Sequence, residues 1–416
     1  MAGPGTEHTA APAVPSTGIH RFFMAFQVPG FRWLWLAGVS MSVGWTVESL
    51  AQGWLVLQIT DSPFWVGAVS GARGVAQFLM SIPGGAIADR LDRRRLLIAV
   101  HLTAVLINVP LVVLVFADAI AAWHMLLFAA AGGVVGAIAA PVTNTLTYDV
   151  VGGARLLNAA AFRYLGMSLI RIVGALAGGF ILEWTGPGGN YAVAAAAALV
   201  AAGWLMLLKP PTRSPVEREP FTRAVRAGLR YGLQTASVRR LLLLSLATEM
   251  LAFSYLWMLP VIARDVLSVG ARGLGYLGAM QGVGMLAAML LLASLGDFRS
   301  KGALLLASAL GFGLFIVLFG LSPWFLLSLL LVGIVGGMGA LYDSSMSTML
   351  QLTVSEQMRG RVMGLYVSTW GLNQVGGLVL GGLATALGAP IALAITGGLA
   401  AVNALRLVPA FRKLVP

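Results

Sequence analysis

Uncharged apolar runs of roughly 20 residues recur along the whole 416-residue chain. A helix of about that length, at about 1.5 Å per residue, spans the ~30 Å of hydrocarbon in a bilayer. Water is absent there, so each run has to satisfy its own backbone amides as a helix. The proportions agree, since 58% of residues are hydrophobic and 10% charged, against about 25% charged in globular domains. A soluble fold with an enlarged core has no need of segment after segment of bilayer length.

The runs read as twelve spans, near 32–58, 64–88, 96–117, 123–148, 157–182, 190–208, 240–263, 273–295, 302–321, 323–350, 361–387 and 389–408. Most connections are short, which makes consecutive helices antiparallel neighbours. The long one runs from Lys209 to Arg240 and holds Pro210, Pro211, Pro215 and Pro220, then a basic, helix-like stretch from Phe221 to Arg230. The expected organisation is an N-terminal tail at 1–30, a six-helix bundle at 31–208, a linker at 209–239, a second bundle at 240–408 and a tail at 409–416. Residues 1–17 are rich in Ala, Pro, Thr and Gly and lack the pattern of a cleavable signal. Phe22, Phe23 and Phe26 are expected to lie along the membrane surface.

The net charge of +12 would suit a nucleic-acid partner, but its distribution does not. With an even number of spans and a cytoplasmic N-terminus, only Arg264 and Arg272 of the 27 Lys and Arg fall on the outer side. That is the positive-inside bias, and it puts both termini in the cytoplasm. The chain has no cysteine, which excludes disulfides and thiolate metal sites. His8, His20, His101 and His124 are scattered. With no phosphate loop and no nucleophile–base arrangement, neither a metal, a cofactor nor an enzyme is expected.

The two halves repeat. GGAIADRLDRRRLL, at 84–97, has a weaker copy in LASLGDFRSKGALLL, with Asp89 and Asp297 equivalent at an offset of 208. Arg73-Gly74 matches Gln281-Gly282 at the same offset, and Gly174 to Gly179 matches Gly377 to Gly382 at an offset of 203. The second alignment sets Arg171 opposite Gln374. Repeats of this kind place two bundles about an axis along the membrane normal, with the substrate path between them. The fold class is therefore an all-α polytopic membrane protein of twelve transmembrane helices, built as two six-helix bundles related by pseudo-two-fold symmetry.

Six plus six spans, a basic central linker and Gly85-x-x-x-Asp89-Arg90-x-x-Arg93-Arg94 between spans two and three together resemble the major facilitator superfamily, over nearly the whole chain from Phe31 to Val408. Ala-Asp-Arg-Leu-Asp-Arg-Arg and the later Glu356 to Gly364 stretch, with Arg359 and Arg361, resemble its bacterial exporter branch, which contains enterobactin-type exporters and macrolide-efflux-like drug:proton antiporters. The resemblance implies the bacterial cytoplasmic membrane, a small-molecule substrate and protons as coupling ion. A functional monomer is expected. The resemblance also implies that Asp89 latches the halves and that Arg93 pairs with Asp149. Helix N-termini attract anions, so Asp89 is read as facing the start of span eleven at Gly360-Arg361. The chain departs from the family in three places: Asp92 stands where a glycine is usual, the glycine–proline antiporter pattern of span five is half present, and span four lacks the arginine of proton-coupled members.

Charges within a span are costly and usually face a cavity or a partner. Glu48 and Arg73 lie at matching depth on adjacent helices and form either a static ion pair or a working one. Gln52 and Gln77 extend each along its helix by one turn. Glu249 is read on one face with Phe253 and Trp257, and Asp343 sits among Tyr342, Ser344 and Ser347. Glu249, Glu48 and Asp343 are the proton-coupling candidates, with Glu249 favoured because no arginine is near it in the pattern. The cavity candidates are Trp45, Gln52, Arg73, Gln77, Asn144, Tyr148, Arg171, Phe253, Trp257, Gln281, Trp370, Asn373 and Gln374. Gly174, Gly178, Gly179, Gly377, Gly381 and Gly382 are read as helix-packing positions. The leading function is proton-driven export of a small organic molecule, drug-like or siderophore-like. An importer of a small nutrient, or a membrane-embedded enzyme or sensor, are the alternatives.

Overall fold

The computed structural model describes residues 23–209, 221–294 and 300–411. In the first half, α1 covers Pro29–Thr60, α2 Pro63–Arg90, α3 Arg93–Phe116 and α4 Ala122–Val151. One helical stretch, Leu156–Leu207, breaks at Gly186 (φ 68°, ψ −175°) just before Pro187, giving α5 (156–185) and α6 (187–207). That φ is open to glycine, and the proline that follows cannot continue the hydrogen-bond ladder.

The linker contributes α7, Phe221–Gln234. The second half contains α8 (Ala236–Val266), α9 (Gly270–Ser294), α10 (Lys301–Gly320), α11 (Phe325–Thr353), α12 (Glu356–Thr369 continued by Leu372–Leu387) and α13 (Ala389–Phe411). Eight of the described helices are long and apolar enough to cross a bilayer, and Asn158–Leu207 makes two passes of its own. The remaining spanning helices, α1, α2 and α12, carry Glu48 and Gln52, Arg73 and Gln77, and Asn373 and Gln374 in their interiors. Together these make the twelve-helix, two-bundle layout, with α7 outside it.

The charged turn before α3 shows how the chain manages its polar loops. Asp92 caps α3, its carboxylate accepting from the Arg95 backbone N–H at 2.8 Å. Its φ of −63° needs no glycine, so the departure at this position leaves the turn intact. Arg93 reaches Asp149 at the end of α4. Arg94 donates to the Leu205 and Met206 carbonyls at 2.8 and 2.7 Å, satisfying the C-terminus of α6. The end of the molecule bearing these arginines is called the basic end below.

Of the aromatic residues before α1, Phe23 is exposed. Phe22 lies outside the described residues, and only Ala25–Gln27 forms a helical turn. Phe26 packs edge-on against Phe31, Trp35 and Phe162, and the Ala25 N–H bonds to Asn158 Oδ1 at 2.9 Å. The Phe26 ring is therefore half-buried among aromatic neighbours of the protein itself.

Candidate functional site

Glycines join the two halves. Against Gly67 of α2 lie the Gly377 carbonyl and Gly381 of α12, where an added Cβ would stand 2.4 and 3.0 Å from them. The same contact recurs between α9 and α5, where a Cβ on Gly275 would lie 2.8 Å from the Ala175 carbonyl and 2.9 Å from Gly179. Backbones this close need small residues on both sides.

The pair of contacts also corrects the repeat. Gly67 and Gly275 keep the 208 offset, but Gly377 and Gly381 correspond to Ala175 and Gly179, an offset of 202. Gly74 meets Gln374 as Gly282 meets Ile172, so Arg171 is equivalent to Asn373 and not to Gln374. Apolar sequence full of Gly, Ala and Leu aligns almost as well one residue out of register. Contacts do not. Of the other glycines, Gly178 packs on Leu50 and Val47, Gly174 on Thr46 and Gly377 on Ser70 and Trp257, while Gly382 has nothing within 4 Å of an added Cβ.

These crossings lie in the half of the molecule away from the basic end, and further contacts close it. The Pro260 ring sits against Gly53, 2.7 Å from where a Cβ would be. Arg264 binds Asp61 at 2.5 Å and the Leu57 carbonyl at 2.9 Å, while Arg272 pairs with Glu183. Arg264 also binds Asp265 at 2.5 Å. Towards the basic end, Asn144 and Tyr148 of α4 are exposed. There, a Cβ on Gly136 of α4 or on Gly360 or Gly364 of α12 would meet nothing within 4 Å. The halves are packed at one end and parted at the other.

Ionisable residues line the parting. Arg171 of α5 stacks over Trp45 of α1, 5.7 Å from the ring centre, and its Nη1 meets Met285 Sδ of α9 at 3.3 Å. Its charge acts across the halves on Asp343 of α11. Asp343 accepts from the buried Tyr366 hydroxyl at 3.1 Å. It also interacts electrostatically with Glu249 of α8. Asn373 of α12 joins that group, donating to Glu249 at 3.4 Å and accepting from Trp257 Nε1 at 3.3 Å. Gln374 donates to Gln77 across the α2–α12 crossing at 3.1 Å.

Two expectations change here. Phe253 does not share the face of Glu249 and Trp257, which both reach Asn373, because residues Phe253–Met258 form a tighter 3-10 turn ahead of Pro260. Phe253 points into the second bundle, 4.7 Å from Phe312, while Trp257 faces α12. In addition, Glu249 is not remote from other charge: Asp343 lies near it, and Arg171 near Asp343. In the first half, Glu48 binds Arg73 Nη1 at 2.9 Å. The Arg73 guanidinium lies over Gly132 of α4, which has no side chain to exclude it. An arginine thus reaches span four from span two.

The remaining candidates are placed as follows. Gln281 is buried at the α9–α11 crossing, Trp370 lies edge-on to Tyr366 at 5.9 Å, and Asn144 accepts from Arg163 at 2.8 Å. Gly85 is buried, Arg359 is exposed, and Arg361 packs against Gly228 of α7. Asp297 and the side chains of Asp89 and Arg90 lie outside what the structure describes. Sequence reasoning passed over Arg163, Tyr366 and Met285. Arg163 stands two turns before Arg171, a spacing that shares a helix face and would have flagged it.

The sequence profile of the transmembrane secretion effectors matches residues 22–414. The chain belongs to this family, within the major facilitator superfamily. It is 29% identical over 378 residues to the enterobactin exporter EntS of Escherichia coli O81 (strain ED1a), covering 89% of this chain and 88% of that one. Among solved structures, the nucleoside transporter NupG superposes with a TM-score of 0.74 at 14% identity over 92% of this chain and 98% of that one. A bacterial homologue of the lysosomal transporter Spinster, inward-facing and unoccupied, superposes with a TM-score of 0.70 at 16% identity over 95% and 96%. At that identity these two structures speak for the fold alone. The protein is a multi-pass membrane transporter of a small molecule, of the exporter branch of the superfamily.

Proposed function

We propose that this transporter exports its substrate from the cytoplasm by alternating access, driven by protons entering the cell, with the basic end cytoplasmic and the packed end outside. The observation that carries the coupling is the group formed by Arg171 of one half with Asp343 and Glu249 of the other, at the place where the halves part. A proton on either carboxyl removes a charge that the other faces, and that Arg171 balances across the interface. Rocking the halves separates Arg171 from Asp343, so protonation and conformation become linked. Glu48, held by Arg73 within one half, is not divided by such a motion.

Export is supported by the likeness to the enterobactin exporter EntS and by the basic-end bias of Lys and Arg, which orients the chain. The parting offers Trp45, Trp370, Arg163 and Arg171 beside two acids, surroundings suited to an aromatic substrate with anionic or zwitterionic groups, as in a catecholate siderophore. The Asp89 latch belongs to the opposite state: with the packed end opened, the basic ends of α2 and α12 approach and Asp89 meets the start of α12. The transporter works as a monomer in this scheme.

The test uses inside-out vesicles with enterobactin and, as a cationic alternative, ethidium. The expected result for Glu249→Gln and for Asp343→Asn is loss of pH-gradient-driven accumulation, with substrate counterflow retained. Gradient-driven accumulation by both variants at the unsubstituted rate would refute the coupling.

A further inference from the structure

A small pocket lies inside the first bundle, apart from the parting between the halves. Glu48 and Gln52 of α1 and Tyr191 of α6 supply its polar wall, and apolar side chains of α3 and α4, Met125 and Ala129 among them, supply the rest. Gln52 is 6% exposed and Tyr191 1%. Among the described residues, Gln52 Oε1 and the Tyr191 hydroxyl have no hydrogen-bond partner. Buried polar atoms are satisfied as a rule, and where protein supplies no partner a bound water does.

The space admits about one water-sized molecule. A water there accepts from the Tyr191 hydroxyl and donates to Gln52 Oε1 and to the Glu48 carboxylate, three bonds of the kind that hold buried waters. Glu48 gives one oxygen to Arg73 at 2.9 Å, and its charge also acts on Tyr191. Those two are the titratable groups facing it, since the lining residues from α3 and α4 are apolar.

The position of the pocket gives it a direction. Met125 lies in the first turn of α4, Leu111 near the end of α3 and Tyr191 just after the Gly186 break. At about 1.5 Å per residue, these place the pocket within ~10 Å of the packed end, while the substrate parting opens to the other end. We propose that this pocket binds water, and that through it Glu48 exchanges protons with the packed end by a path separate from the substrate's. The pocket and its access stand apart from the proton-coupled reading above, which gives the coupling step to Asp343 and Glu249.

Two measurements on the full chain test this without any transport assay. The first is radiolytic hydroxyl-radical footprinting, in which bound water activates buried side chains beside it. Met125 is expected to oxidise several-fold faster than Met258 and Met346, which are equally buried, and to fall to their rate in Gln52→Leu/Tyr191→Phe. Equal rates for the three methionines in the unsubstituted protein would overturn the water. The second uses Ala129→Cys, the only thiol in a chain without cysteine, in oriented proteoliposomes. Silver ion, about the size of a water molecule and unable to cross the bilayer, is expected to react from the packed end, read as loss of maleimide labelling after denaturation. Reaction only from the basic end, or from neither, would overturn the path. Failure of Glu249→Gln to uncouple transport would leave both results standing and would count against the proton-driven reading alone.

Discussion

Gly67→Ala is the sharpest perturbation of the alternating-access scheme, because its contact exists in only one of the two states. A Cβ at Gly67 would lie 2.4 Å from the Gly377 carbonyl oxygen and 3.0 Å from Gly381. Both neighbours are backbone, so no rotamer change relieves the clash and α2 must move away from α12. Overpacking of this kind costs about 1–3 kcal/mol. With the packed end open, α2 and α12 separate there and the methyl group costs nothing. The whole penalty therefore enters the equilibrium between states, and at 1.4 kcal/mol per decade it shifts the populations about 5- to 150-fold towards the state open at the packed end.

The readout is electron–electron distance spectroscopy between spin labels on Ala119→Cys and Leu321→Cys, exposed positions at the packed end of the first and second halves. The long-distance component is expected to dominate in Gly67→Ala. Gly136→Ala is the control, since its Cβ meets nothing within 4 Å, and its distribution is expected to match the parent. A folded Gly67→Ala protein with an unchanged distribution would refute the reasoning.

Two smaller predictions concern the ends of the helices. Arg94→Ala leaves the Leu205 and Met206 carbonyls without their charged donor. It should destabilise the protein by about 1–3 kcal/mol, seen as a lower melting temperature in detergent with the label distances of the parent. Asp61→Asn removes one carboxylate from Arg264, but Asp61 is 86% exposed and Asp265 remains paired. Its effect on the distance distribution should stay below that of about 1 kcal/mol, and a shift as large as that of Gly67→Ala would show that charge, and not glycine packing, closes this end.

Run length was enough to reveal the twelve helices, because a backbone in hydrocarbon has no partner but itself. The glycine stripes and the Glu48–Arg73 depth match were legible for the same reason: a regular helix converts sequence spacing into position. Where the helix stops being regular, that conversion fails. Phe253 and Trp257 are spaced as one α-helical face with Glu249, yet the 3-10 turn ahead of Pro260 sends them apart. The one-residue slip in the second repeat offset has another cause. Interchangeable small apolar residues carry little register information, and the matched contacts of Gly67 and Gly275 and of Gly74 and Gly282 supply it.

What the sequence determined alone is therefore the part of the protein set by its solvent: helices long enough for the bilayer, arginines gathered at one end, and two halves of common descent. Tertiary structure decided the partners. It put Arg171 over Trp45, set Arg73 over the bare Gly132, and left Gly67 against Gly377 while Gly382 faces open space. Those choices depend on how two surfaces meet, and a span's sequence records which residues it carries without recording which neighbour they face.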